Sequence, residues 1–262
     1  MKIAIIGYGK MGHAIERIAL ERGHEIVATI DADNTKDIDS EAFASADVAI
    51  EFTTPATAAD NVMRAAKAGV AVVCGSTGWY DRLPEAEKAV KEAGQALMAS
   101  TNFSIGVYVT RLINKELTAV MSKLKDYRPE LSETHHVHKL DYPSGTAITL
   151  AEDIVGADPN LKSYECVGEV RVGTPDEAEQ LMTAVEQAEA MPDDILPIIA
   201  YREGEVAGIH SMTWSSPVDS IELTHSAISR DGFALGAVMG AEWIKGRKGI
   251  FSIDSMMNDI LK

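Results

Sequence analysis

The chain has 262 residues, 46% hydrophobic and 24% charged, a globular composition long enough to bury a core without disulfides or a structural metal. Twenty-four lysines and arginines against forty aspartates and glutamates leave a formal charge of −16, which repels phosphate backbones and anionic bilayers and argues against nucleic acid as the main partner. Cys74 and Cys166 are too few for a disulfide framework. The opening apolar run is too short for a secretory segment, and no run approaches the ~18 apolar residues of a membrane span, so a cytoplasmic protein is expected.

Ile3 to Ile6 is a continuous apolar run, the pattern of a strand covered on both faces. A glycine turn follows, then a helix with Ala14, Ile15, Ile18 and Ala19 as its apolar stripe, ended by Gly23. Strands are predicted at 25–31, 48–52, 70–74 and 96–100, and helices at 56–68 and 85–94. Strict alternation with short connections predicts a parallel sheet with helices on both faces. After Asn102-Phe103-Ser104 the pattern changes. A long helix over 107–124 is followed by strands at 128–137, 164–172, 195–202, 206–215 and 220–227, with helices at 146–155 and within 174–189. A glycine- and alanine-rich helix over 233–244 is expected to return to the first domain. The fold class is therefore α/β: a Rossmann-like parallel-sheet domain with an inserted α+β mixed-sheet domain, bounded at 1–103, 104–228 and 229–262.

Gly7-Tyr8-Gly9-Lys10-Met11-Gly12 is an uninterrupted G-x-G-x-x-G between a buried strand and a helix. Gly7 suits the tight turn, Gly9 close approach of a pyrophosphate, and Gly12 close packing of helix on strand, with free amides at the helix start for the diphosphate. Asp31 ends the second strand about twenty residues beyond Gly12, where a carboxylate accepts ribose hydroxyls and repels a 2′-phosphate. Lys10 and Lys36 could instead meet a 2′-phosphate, so NADH is favoured only modestly over NADPH. Phe52-Thr53-Thr54-Pro55 and Gly75-Ser76-Thr77-Gly78 follow two further strands at the edge where open sheets bind ligands.

Three of the seven histidines and one lysine fall within His135-His136-Val137-His138-Lys139. An extended strand would put Glu133, His135, Val137 and Lys139 on one face and His136 and His138 on the other. Adjacent histidines then diverge, and no bound metal is expected. A histidine titrating near neutrality suits acid–base work, and Lys139 offers fixed positive charge to an anionic substrate. Asp141 to Ala147 reads as a turn into a helix start, with Ser144 or Thr146 as cap and exposed amides suited to a carboxylate.

The segment from Glu133 to Ala147, with the glycine fingerprint, Gly75 to Gly78, Asn102 to Val107 and His225 to Gly236, resembles the dihydrodipicolinate reductase family along essentially the whole chain. The resemblance implies a nucleotide-binding domain closed by the last helix, an inserted domain for substrate and assembly, and a homotetramer. It implies reduction by NADH or NADPH of a cyclic imine dicarboxylate made from pyruvate and aspartate semialdehyde, giving tetrahydrodipicolinate for lysine and diaminopimelate. His135 and Lys139 match the acid–base pair, His136 a substrate contact, and Gly145 and Thr146, beside Ser144, the cradle of a ring carboxylate. Gly7, Lys10, Gly12, Asp31, Gly75, Thr77 and the stretch Ser100, Asn102, Phe103 match cofactor positions. Only about twenty residues separate Asp31 from Phe52, so one sheet element and its helix are expected to be missing or reduced. The rival readings are an NAD-dependent amino-acid dehydrogenase of the aspartate type and a non-catalytic NADH-binding sensor.

Overall fold

The computed structural model describes residues 1–262, which divide into two compact units: Met1–Ile105 with Arg230–Lys262, and Gly106–Ser229. In chain order the first unit holds β1 (Lys2–Ile6), α1 (Lys10–Glu21), β2 (Glu25–Ile30), α2 (Glu41–Ala44), β3 (Val48–Glu51), α3 (Pro55–Lys67), β4 (Ala71–Cys74), α4 (Leu83–Glu92) and β5 (Ala96–Ala99). Its strands, all parallel, form one sheet of order β11-β5-β4-β3-β1-β2, where β11 is Gly249–Phe251. Every residue of β3 and β4 is buried, as a strand covered on both faces requires.

Between β2 and β3 the chain makes only a 3₁₀ turn, Thr35–Asp39, and the single turn of α2, anchored by buried Ile38 and Phe43. No strand forms there, so β2 is an edge and β3 pairs directly with β1. The shortened span between Asp31 and Phe52 thus removes one strand and most of a helix. The C-terminal α8 (Asp231–Ile244) returns to this unit with Ala234, Ala237, Val238, Ala241 and Ile244 buried. Two elements escaped the sequence pattern, β11 and α9 (Ile253–Ile260), a three-residue edge strand and a two-turn helix with a capping box at Ser252.

The second unit holds α5 (Ile105–Met121) from its second residue onward, then β6 (Arg128–His135), α6 (Gly145–Ala157), β7 (Ser163–Arg171), α7 (Glu177–Glu189), β8 (Ile195–Arg202), β9 (Ile209–Ser215) and β10 (Ser220–Ser226). The sheet order is β10-β9-β6-β8-β7, with β6, β8 and β7 parallel and β9 antiparallel to both of its neighbours, β6 and β10. Leu131, Ile198, Met212 and Trp214 form a core with Ala147, Leu150 and Ile154 of α6, while Val170 and Ile199 pack with Ala184 of α7. The fold is α/β, a Rossmann-like parallel sheet joined to a mixed α+β unit. No helix is long and apolar enough to cross a membrane.

Candidate active site

In the first unit the glycine turn joins β1 to α1. Gly7 has φ +95°, and a Cβ there would stand 2.1 Å from the Phe52 carbonyl oxygen; at Gly12 it would stand 2.3 Å from the Gly7 oxygen. Gly9 differs: it is the N-cap of α1, no side chain caps the helix, and nothing lies within 4 Å of a would-be Cβ. Two glycines close the turn and one leaves a cradle over the helix start, which fits a diphosphate on the α1 amides. Lys10 and Asp31 are exposed and Met11 half-buried. Tyr8 Oη donates to Glu16 and its ring meets His13, so it lies along α1. That carboxylate contact raises the Tyr8 pKa.

The other predicted cofactor residues form a tightly bonded floor. The Thr53 amide donates to Ser76 Oγ at 2.8 Å and to Glu51 Oε1 at 3.1 Å. Ser76 is buried, and its hydroxyl serves to hold this loop, while Thr77 is exposed and Gly75 donates its amide to the Glu51 carbonyl. Glu51, fully buried, also accepts from Thr53 Oγ1 and Cys74 Sγ. Burial pushes the Cys74 thiol far up, with the Glu51 charge adding to it. Ser100 Oγ donates to the Asn102 carbonyl at 2.8 Å, and the Phe103 ring is buried 6.2 Å from that of Phe52.

In the second unit, strand parity builds the other cluster. Leu131, Glu133 and His135 of β6, Leu196, Ile198, Ala200 and Arg202 of β8, and His210, Met212 and Trp214 of β9 are the buried alternation. Register sets Glu133 opposite His210 and His135 opposite Arg202. The inner face is therefore apolar at one end and ionic at the other. Glu133 Oε1 lies 3.4 Å from both terminal nitrogens of Arg202. Glu133 Oε2 accepts the Ser144 amide at 3.1 Å and lies 3.2 Å from His135 Nδ1, off line for a hydrogen bond. Burial would raise the Glu133 pKa, but His135, the Ser144 amide and Arg202 outweigh it and hold the carboxyl at about 2. The His210 ring stands edge-on to His135 at 5.2 Å with Nε2 3.1 Å from Ser144 Oγ. Burial, then the electrostatic effect of His135, lowers His210 to about 3, so its ring is neutral. Glu133, His135 and His210 bring ligand-type atoms within 4.8 Å of one another, a grouping absent from the sequence reading. Its carboxylate is already met by a guanidinium and an amide.

The predicted strand face does not extend through this segment. β6 ends at His135, and His136 to Lys139 turn away, with the Lys139 amide on the His136 carbonyl and the Val137 amide on that of Gly204. Lys139 is tied in from β8 instead: Arg202 donates to the carbonyls of Lys139 at 3.3 Å and Asp141 at 2.9 Å. Lys139 Nζ pairs with Asp141 at 2.7 Å, which lowers the Asp141 pKa. His136 has a buried Nδ1 without a partner. Ser144 caps α6, its Oγ accepting from Ala147, while Gly145 is exposed with nothing within 4 Å of a would-be Cβ and Thr146 is half-buried beside it.

The family models described as dihydrodipicolinate reductase, N-terminus and C-terminus, match residues 1–103 and 106–257. The chain belongs to the dihydrodipicolinate reductase family. The 4-hydroxy-tetrahydrodipicolinate reductase of Christiangramia forsetii is 40% identical over 262 residues, 100% of both chains. That of Archaeoglobus fulgidus is 33% identical, covering 98% of this chain and 100% of its own. Among solved structures, a dipicolinate-bound dihydrodipicolinate reductase from Paenisporosarcina sp. TG-14 has the same fold at 23% identity, with a TM-score of 0.73 over 96% of this chain and 97% of that one. A probable dehydrogenase from Thermotoga maritima follows at a TM-score of 0.56 and 12% identity over 100% and 94%. Family membership makes the chain an oxidoreductase.

Glu51, Arg202, His210 and Asp141 were missed as site residues. For Arg202 and His210 a signal existed: each holds the core-facing parity of its strand, in step with Ile198 and Ala200 or with Met212 and Trp214.

Proposed function

We propose that this enzyme reduces 4-hydroxy-tetrahydrodipicolinate to tetrahydrodipicolinate with NADH, and less readily with NADPH, in lysine and diaminopimelate biosynthesis. The observation that carries the reading is the assembly of His135, the capped turn Ser144–Thr146 and, through Arg202, the Lys139 segment about one buried carboxylate. Residues 1–103 and 229–262 serve as the dinucleotide-binding domain, and 104–228 as the substrate and assembly domain of a cytoplasmic homotetramer.

NAD(P)H supplies the hydride when bound. Gly7, Gly9 and Gly12 leave the α1 amides open for its diphosphate, with Tyr8, Lys10 and Met11 along the same turn and Asp31 for the ribose. Phe52, Thr53, Gly75, Ser76 and Thr77, with Ser100, Asn102 and Phe103, form the floor at the strand ends. In the second unit the Gly145 and Thr146 amides and the Thr146 hydroxyl take one ring carboxylate, and Ser144 fixes that turn through its cap. His136 stands next to His135 as the substrate contact. Lys139 meets negative charge on the ring; its ammonium is held in readiness by exposed Asp141. His135, together with Lys139, handles the proton that follows the hydride, a transfer contributing ~10²–10⁴-fold when the group is positioned.

The test follows NADH or NADPH absorbance with purified enzyme while a synthase makes the condensation product of pyruvate and aspartate semialdehyde in the same cuvette. Oxidation that needs both precursors and this enzyme is expected. Its absence with either cofactor, in folded protein that binds NADH, refutes the reading and returns the case to an amino-acid dehydrogenase or a sensor.

A further inference from the structure

We propose that Glu133, clamped by Arg202, is a positioning residue that sets the orientation of the His135 ring and anchors both ends of the turn carrying Lys139, without itself touching substrate. The inference rests on the reading of His135 and Lys139 given above. Glu133 and Arg202 both have fully buried side chains. As a stabilising device such a pair is poor, because desolvating two ions offsets most of their attraction, and apolar replacements are often neutral or better. Its contacts say what else it does. Glu133 Oε2 holds the Ser144 amide at 3.1 Å, the far end of the turn, and stands 3.2 Å from His135 Nδ1. Arg202 holds the carbonyls of Lys139 and Asp141 at 3.3 and 2.9 Å, the near end. One ion pair thus fixes the ring, the lysine segment and the carboxylate-binding turn together.

The other groups facing His135 cannot substitute. His210 on β9 presents a neutral ring, Arg202 on β8 and Lys139 are cations, and Glu169 on β7 is engaged with Arg202 and Arg171. His225 on β10 stands against His210 rather than His135. Glu133 is the carboxylate that can draw a proton onto Nδ1 and leave Nε2, which lies beside Gly208, as the ring's unprotonated nitrogen. A carboxylate in this place fixes both tautomer and ring angle.

The experiment compares the whole enzyme with Glu133→Gln, Glu133→Asp and Arg202→Lys by steady-state kinetics, thermal melting, ¹⁵N NMR of labelled histidine rings, and binding of pyridine-2,6-dicarboxylate as probe. Glu133→Gln should cut kcat by at least ~10-fold with KM changed only a few-fold, and shift the His135 signal from the Nδ1–H tautomer toward a mixture. Glu133→Asp should retain the Nδ1–H signal and recover part of kcat. Unchanged kcat, or a kcat loss with the tautomer unchanged, overturns the proposal, and the second outcome holds even if the variant melts early. Wild-type enzyme that turns over nothing would instead overturn the reductase reading, while the tautomer still reports whether Glu133 governs His135.

Discussion

The His210 ring makes acid stability a direct test of how the second unit is built. Its folded pKa sits at about 3 against a usual 6.5, chiefly through burial. The sign follows from linkage. In the unfolded chain the ring takes a proton below pH 6.5, whereas in the folded protein it stays neutral down to about 3. The unfolded state therefore binds more protons across that window, and stability falls as pH falls. Each pH unit costs about 1.4 kcal/mol per proton, so between pH 7.5 and 5.0 His210 should remove about 2 kcal/mol. Glu133 acts in the same direction but later. Held at about 2 against a usual 4.5, its anion contributes stability above pH 4.5 that disappears as pH falls toward 2, about 3 kcal/mol in all. The pH 7.5 to 5.0 interval thus separates His210 from the Glu133 carboxylate, and comparison with the variant separates it from His225, which burial also lowers. Urea unfolding followed by circular dichroism at the two pH values, on wild type and His210→Gln, measures it. Glutamine keeps a polar group for Ser144 but has no proton to gain, so the variant should lose about 2 kcal/mol less than wild type. Equal losses in the two proteins would show that His210 is not the buried neutral group described here.

Lys139→Ala should lower kcat by ~10²–10⁴-fold with the circular dichroism spectrum intact, and a change of only a few-fold would remove it from the chemistry. Gly9→Ala should fold normally, since nothing lies within 4 Å of its Cβ, yet weaken NADH binding in fluorescence titrations. Gly7→Ala, with φ +95° and a backbone oxygen 2.1 Å away, should melt earlier or fail to accumulate folded; equal behaviour of the two would refute the division of the turn into closed and open glycines. Asp31→Ser should shift the ratio of kcat/KM for NADPH over NADH upward, and an unmoved ratio would place cofactor choice elsewhere.

The Rossmann-like unit was the more legible because its signals are local. Continuous apolar runs such as Ile3 to Ile6 mark doubly covered strands, and the glycine turn lies between the strand and helix it connects. The reduced crossover after β2 was legible against the family resemblance, since the about twenty residues from Asp31 to Phe52 hold β3 and the single turn of α2 but leave no room for a further strand and a full helix. What escaped was short: β11 gains its place by hydrogen bonding along the edge of β5, and a three-residue run of Gly-Ile-Phe carries no periodicity of its own.

The site in the second unit was legible only in its contiguous part. His135 to Thr146 stands in one stretch, but the residues that hold it come from β8 and β9, some seventy positions away. Extending β6 through Lys139 placed that lysine by strand parity, when the chain had already turned and Arg202 had drawn the segment back through its carbonyls. The signal for the rest is a charge that falls within an apolar alternation. Glu133 follows Leu131 at the same parity, Arg202 follows Ile198 and Ala200, and His210 precedes Met212 and Trp214, so each puts a charged or titratable group on a face whose other members form the core. Three such violations on three strands cannot be tolerated separately, because each buried polar group needs a partner. They must therefore meet, and antiparallel pairing of β6 with β9 beside parallel pairing with β8 brings them to the same end of the sheet. Buried ionisable groups at inward strand positions thus locate the supporting half of a site even where nothing in their immediate sequence marks them.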